Sequence, residues 1–199
     1  MADHLVRTAT DDDGPALIGF LSRAFATDPL FEWVFPDEER RVADLALLFE
    51  LVWAANSRLG HSLITDDRTG IAMWAPPGQW KTPPETAMTY GPRLVEAYAE
   101  DDMRRLMSFH DAVDEHHPEE SHYYLGVLGV DPDHHARGIG SACLAAGLAV
   151  ADAAHQPAYL ETTNEKNLPL YERHGFAVTK EFDLGDGSPT TWLMWRDAG

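Results

Sequence analysis

Cysteine is nearly absent. Cys143 stands alone among 199 residues, which excludes an internal disulfide framework and suits a reducing compartment. Basic residues are scarce too: 15 Lys and Arg against 33 Asp and Glu give a formal net charge of −18. That balance argues against nucleic acid and anionic membrane as partners; it favours a cationic substrate such as an amine, and it also serves a well-solvated surface. No apolar run is long enough to span a bilayer, since "LALLFELVWAA" is short and carries Glu50. The stretch "MADHLVRTATDDD" has neither the basic start nor the apolar centre of a signal peptide, so a cytoplasmic protein is expected. No repeat, low-complexity tract or linker interrupts the chain, and residues 1–199 read as a single domain. The hydrophobic fraction of 44% and the six tryptophans are enough for a real core.

Periodicity divides the chain into alternating elements. "HLVRT" (4–8) reads as a short strand, followed by a helix with Pro15 in its first turn and Leu17, Phe20, Leu21, Ala24 and Phe25 on one face. Prolines 29 and 36 bound a short helical turn. A longer helix, acidic at its start, ends before Gly60. "HSLIT" and "TGIAMWA" form a hairpin about a "DDR" turn, and two helices are predicted near 84–99 and 102–115. "SHYYLGVLGV" (121–130) is an apolar strand, residues 137–154 a helix, and "PAYLETT" another strand. "NLPLYERHG" is a short helix, and "FAVTKEF" and "TTWLMWR" are a closing strand pair. The pattern predicts an α/β (α+β) fold of about seven strands flanked by helices.

The passage from strand to helix at 127–144, "VLGVDPDHHARGIGSACL", is the most informative stretch. Asp131 and Pro132 stop the strand. Gly138 and Gly140 let a ligand approach the backbone and tolerate positive φ. The first amides of the following helix lack intrahelical acceptors and form a ready anion site, with Arg137 beside them. A pyrophosphate suits such a cradle. A Walker loop would need a lysine after its last glycine, and a dinucleotide fingerprint would need Gly or Ala where Cys143 stands; neither is present.

"LGVDPDHHARGIGSACL" resembles motif A of the GCN5-related N-acetyltransferase superfamily, in which Gln/Arg-x-x-Gly-x-Gly/Ala holds the pyrophosphate of an acyl-CoA. His135 stands at the Gln/Arg position, followed by Ala136, Arg137, Gly138, Ile139, Gly140 and Ser141. "YLETTNEKNLPLYERHGF" (159–176) resembles motif B of the same superfamily. The resemblance covers an acyl-CoA-binding core of about 121–182, and the N-terminal helices with "GIAMWAPPG" resemble an actinobacterial-type branch. It implies a mixed, mostly antiparallel twisted sheet with strands four and five splayed at their ends and the cofactor arm inserted between them. The backbone of Leu128 and Val130 would pair with that arm, Asn164 or Asn167 would contact it, and Tyr171 would lie near its sulfur.

The function so implied is transfer of acetyl from acetyl-CoA to a primary amine, with Tyr171 as general acid. Acceptors for the amine proton are Glu161, His117, His110 and His122, directly or through water. A non-catalytic acyl-CoA sensor on the same fold is the reading from another class. Ten histidines raise a metal alternative, but no H-E-x-x-H or C-x-x-C spacing occurs and no metal is expected. Cys143 falls on an apolar helix face and reads as core, and no motif encodes the oligomeric state, a homodimer being among those open. Because the backbone carries the anion contact, His135→Ala should weaken CoA binding far less than Gly138→Val, as calorimetric titration with CoA will measure.

Overall fold

The strand at the middle of the sheet faces two cores at once. The computed structural model describes residues 4–199, and in it Ile71 and Met73 of β3 (Gly70–Ala75) point into one apolar cluster while Ala72 and Trp74 point into another. All four are fully buried. Alternation along a strand produces this division, and covering both faces requires helices on either side of the sheet.

Seven strands build that sheet: β1 (Val6–Thr8), β2 (Ser62–Thr65), β3, β4 (Tyr123–Val130), β5 (Ala158–Thr162), β6 (Ala177–Phe182) and β7 (Thr191–Arg196). Their order is β1-β2-β3-β4-β5-β7-β6, and only the β4–β5 pair is parallel. The mixed, mostly antiparallel sheet of the sequence reading is therefore observed. Helices α1 (Gly14–Ala24), α2 (Pro29–Val34), α3 (Glu38–Asn56), α4 (Pro84–Ala97) and α5 (Glu100–His116) contribute to the first core. Helices α6 (Ile139–Ala153) and α7 (Leu168–Arg173) contribute to the second. None of the helices among the described residues is long and apolar enough to cross a membrane.

Two local features set up the centre of the molecule. Gly147 of α6 lies so close to Trp74 that a Cβ there would stand 2.0 Å from the indole nitrogen, so this helix seats on the sheet only with glycine at that point. In β4 the register shifts against β3 between the pairs Met73–Val127 and Trp74–Leu125, leaving Gly126 as the extra residue of a bulge. A bulge bends its strand and strengthens the local twist. The bend falls where β4 leaves β5: the two pair at Tyr123–Leu125 against Ala158–Leu160 and no further.

The far edge of the sheet is pinned by one carboxylate. Asp13, fully buried, accepts from Arg7 at 2.7 and 2.9 Å, from Arg68 at 2.7 Å and from the Thr10 amide at 2.8 Å. It thereby joins β1, the entry to α1 and the β2–β3 turn. Its bond to Arg7, above all, holds its carboxyl far below the usual aspartate range. Asp13→Ala should lower the urea unfolding free energy by about 2 kcal/mol, the two arginines being half-exposed and free to rehydrate. The carboxylate's contribution is full above the ordinary value of 3.8 and fades as pH falls below it. The stability gap between wild type and variant should accordingly narrow in acid.

Candidate functional site

Where β4 and β5 separate, backbone groups are left over. The Asp131 amide donates to the Thr69 carbonyl at 2.7 Å, so the two-residue alternation of a strand also turns the polar groups of Gly129 and Val127 toward β3. Those of Leu128 and Val130 turn the other way, into the gap. The sequence reading assigned a ligand to these same two residues. His135 reaches back to this edge, its Nε2 lying 3.1 Å from the Val130 carbonyl.

After β4 the chain makes a short turn over Pro132–His134, begun by Asp131 accepting from the Asp133 amide at 3.1 Å. Ala136 and Gly138 then adopt positive φ, 61° and 83°, and α6 begins at Ile139. Among the described residues, none of the amides from Ala136 to Ser141 has a protein acceptor. A Cβ on Gly138 would meet nothing within 4 Å, so the space in front of the turn is open. Unpaired amides, the start of a fifteen-residue helix and open space fit a pyrophosphate. Side chains contribute less. Ile139 packs into the core, Ser141 bonds His174 at 2.7 Å, and the Arg137 side chain is exposed while its carbonyl accepts from His4 at 2.9 Å.

Two cavities meet in the splay. One, of about 380 Å³, runs from this turn along Leu128–Val130 to Asn164, Asn167 and Leu170. The other, of about 290 Å³, is walled by Phe25, Phe31, Phe49 and Phe109 and by aliphatic residues of α2, α3 and α5. Five residues line both: Phe25, Asp28, Leu128, Asn167 and Tyr171. Tyr171 is 6% exposed, and burial, reinforced by the Asp28 charge, pushes its phenol well above the usual range, so it holds its proton. Asp28 caps α2, accepting from the Leu30 amide at 3.0 Å and from the Thr163 hydroxyl at 3.2 Å; burial raises it.

The second cavity carries carboxylates and a histidine but no lysine or arginine: Asp28, Glu161 and His110 line it. Behind Glu161 stands His117, which does not reach the cavity. Its ring stacks on Trp80 at 3.6 Å between centroids, and its Nδ1 is 3.8 Å from Glu161. His122 follows, Nε2 to Nε2 at 3.0 Å. His110 sits apart from this file, 3.5 Å from Asp114.

The residues singled out from the sequence thus fall into one region. Leu128, Val130, His135, Ala136, Gly140, Asn164, Asn167 and Tyr171 line the first cavity, Glu161 lines the second, and His117 is set one layer back. Sequence reasoning passed over Asp28 and Tyr124. Asp28 had a signal, Asp-Pro at a helix start, but that signal reads as a cap. Tyr124 gains its place only through tertiary contact.

The Acetyltransferase (GNAT) family model matches residues 65–176, more than half of the chain. A mycothiol acetyltransferase of Clavibacter sepedonicus is 53% identical over 53 residues, 25% of this chain and 17% of that protein. One of Acidimicrobium ferrooxidans is 42% identical over 73 residues, covering 35% and 21%. The matched segments span about a fifth of those relatives. In structure, an acetyltransferase of Corynebacterium glutamicum, described as histone acetyltransferase HPA2 and related acetyltransferase, superposes with a TM-score of 0.70. It is 26% identical and the match covers 98% of this chain and 97% of that one. Arylalkylamine N-acetyltransferase 2 of Aedes aegypti shares the fold at a TM-score of 0.66 and 14% identity, over 99% and 100%.

Cys143 lies on the buried side of α6 with no exposure, as expected of a core residue. Burial, with a smaller effect from the Asp67 charge, pushes its thiol up to about 12. In the native protein Cys143 should not react with Ellman's reagent within minutes, whereas the guanidinium-unfolded chain should release a full equivalent.

Proposed function

The chain belongs to the GNAT acetyltransferase family, and from that membership we propose that it moves an acetyl group from acetyl-CoA directly to the nitrogen of a primary amine, residues 1–199 acting as one catalytic domain. The observation that carries the reading is Tyr171, buried where the two cavities meet, with bare amides on one side and carboxylates on the other. Acetyl-CoA would be held at its pyrophosphate by the amides from Ala136 to Ser141. Its arm would lie along the backbone of Leu128 and Val130 that β5 leaves unpaired, with Asn164 and Asn167 opposite. When bound it supplies an acetyl thioester.

The remaining chemistry is positioning and proton management. Glu161 takes the proton of the arriving ammonium so that nitrogen can attack. An amide on the open edge of β4 polarises the acetyl carbonyl. Tyr171 donates its proton to the departing sulfur. Burial holds that proton on the phenol until the sulfur departs as a thiolate.

The acceptor cavity favours a cation, through Asp28 and Glu161. Its phenylalanine wall favours an amine carried on an apolar body, which would bury its hydrocarbon there. Tyr171→Phe should reduce turnover about 100-fold while leaving CoA affinity unchanged. Release of free thiol across an amine panel reads the first quantity and calorimetry with CoA the second. Full turnover in the variant would remove Tyr171 from the mechanism, and no thermal shift of the wild type with acetyl-CoA would sink the reading altogether.

A further inference from the structure

Glu161, His117 and His122 stand in single file, and their hydrogen bonds determine where protons can sit. His122 Nδ1 is 2.5 Å from the Glu120 carbonyl, and a carbonyl only accepts, so Nδ1 carries a hydrogen. Burial, with the neighbouring His117 acting the same way, depresses the His122 imidazole and keeps it neutral; the Glu120 carbonyl, Glu161 and the Glu120 charge offset this in part. Its Nε2 is therefore bare. His117 Nε2, 3.0 Å away, must then donate to it, and in the one-proton form of that ring Nδ1 is bare.

That bare nitrogen faces Glu161 Oε1 across 3.8 Å, and neither atom has another partner. The His117 and Glu161 side chains are only 2% and 8% exposed. Two buried acceptors turned toward one another are unfavourable, and one added proton resolves the conflict. Tyr124 and Tyr159 donate toward the Glu161 carboxylate but do not give up a proton to it, since burial, the Glu161 charge and that interaction keep both phenols protonated. Asp114 turns to His110 and Lys81, at 3.5 and 3.6 Å. Trp80 and Trp195 pack on His117 and His122 without titrating.

We propose that Glu161, His117 and His122 form a one-proton chain that takes up the proton of the acceptor amine, with His122 as the positioning residue that keeps Nδ1 of His117 bare. The inference rests on the amine-acetylation reading. An N–H bond of the ammonium breaks, its electron pair stays on the nitrogen, and an O–H bond forms on Glu161. The proton passes to His117 Nδ1 while the hydrogen on His117 Nε2 moves to His122 Nε2. The added charge then lies on the His117–His122 pair, where Glu161, again a carboxylate, offsets the burial that disfavours it on His122 alone.

Long-range proton–nitrogen NMR of the full chain labelled at histidine tests the file without any ligand, His117→Gln and His122→Gln providing assignments. Neutral His122 should appear as the Nδ1–H form, His117 as the Nε2–H form, and on acidification both rings should respond together. An Nε2–H form for His122, or independent titrations, overturns the chain. Kinetics test its role. His122→Phe removes the acceptor, lets His117 turn Nδ1–H toward Glu161, and should move the acid limb of kcat/KM down by about one pH unit. His122→Asn still offers an acceptor and should keep the limb in place. Equal behaviour of the two variants overturns the positioning role. Absence of turnover with every amine sinks the acetylation reading and the chain's role with it, whereas turnover with the wrong tautomers sinks the chain alone.

Discussion

The parting of β4 from β5 after three residue pairs is the constraint on which the rest of the structure depends. Parallel strands that continued to pair would have used the backbone groups of Leu128 and Val130 and closed the space between them. Instead the bulge at Gly126 bends β4 away, and two cavities occupy the wedge. The helices answer to the same geometry. α6 begins where β4 ends and presents its bare amides to the wedge, while α7 carries Tyr171 to its floor. The first core, built from α1 to α5, closes the opposite side with phenylalanines.

Much of this was legible in the residue pattern because it is locally encoded. An apolar run ended by Asp-Pro, two glycines and an alanine-rich helix specify a strand, a stop and a helix start without reference to anything distant. Their positions in the structure agree to within a residue or two, although α6 begins at Ile139 rather than 137. The parts that were not legible depend on what comes from elsewhere. His135 occupies a position where a resemblance suggests a ligand contact, yet its ring turns to the Val130 carbonyl. His117 reads like a cavity residue from its place before β4, but the indole of Trp80, almost forty positions earlier in the chain, stacks over it one layer behind Glu161. Asp28 looks like an ordinary helix cap and is one. Its second role, bordering both cavities, exists only because α2 packs across the end of the wedge.

Charge follows the same division between local and distant. The chain as a whole is strongly acidic, and the phenylalanine-walled side of the wedge shares that character through Asp28 and Glu161. What the other side offers an anion is peptide dipoles at one turn rather than a basic patch.

The wall common to the two cavities has a thermodynamic consequence. Phe25, Asp28, Leu128, Asn167 and Tyr171 each face both spaces, so no occupant of one can settle against them without changing the surface met by the other. Linkage makes that influence mutual: whatever factor the first ligand contributes to the affinity of the second, the second returns to the first. Any preference in the order of loading two such ligands would then originate in this shared wall.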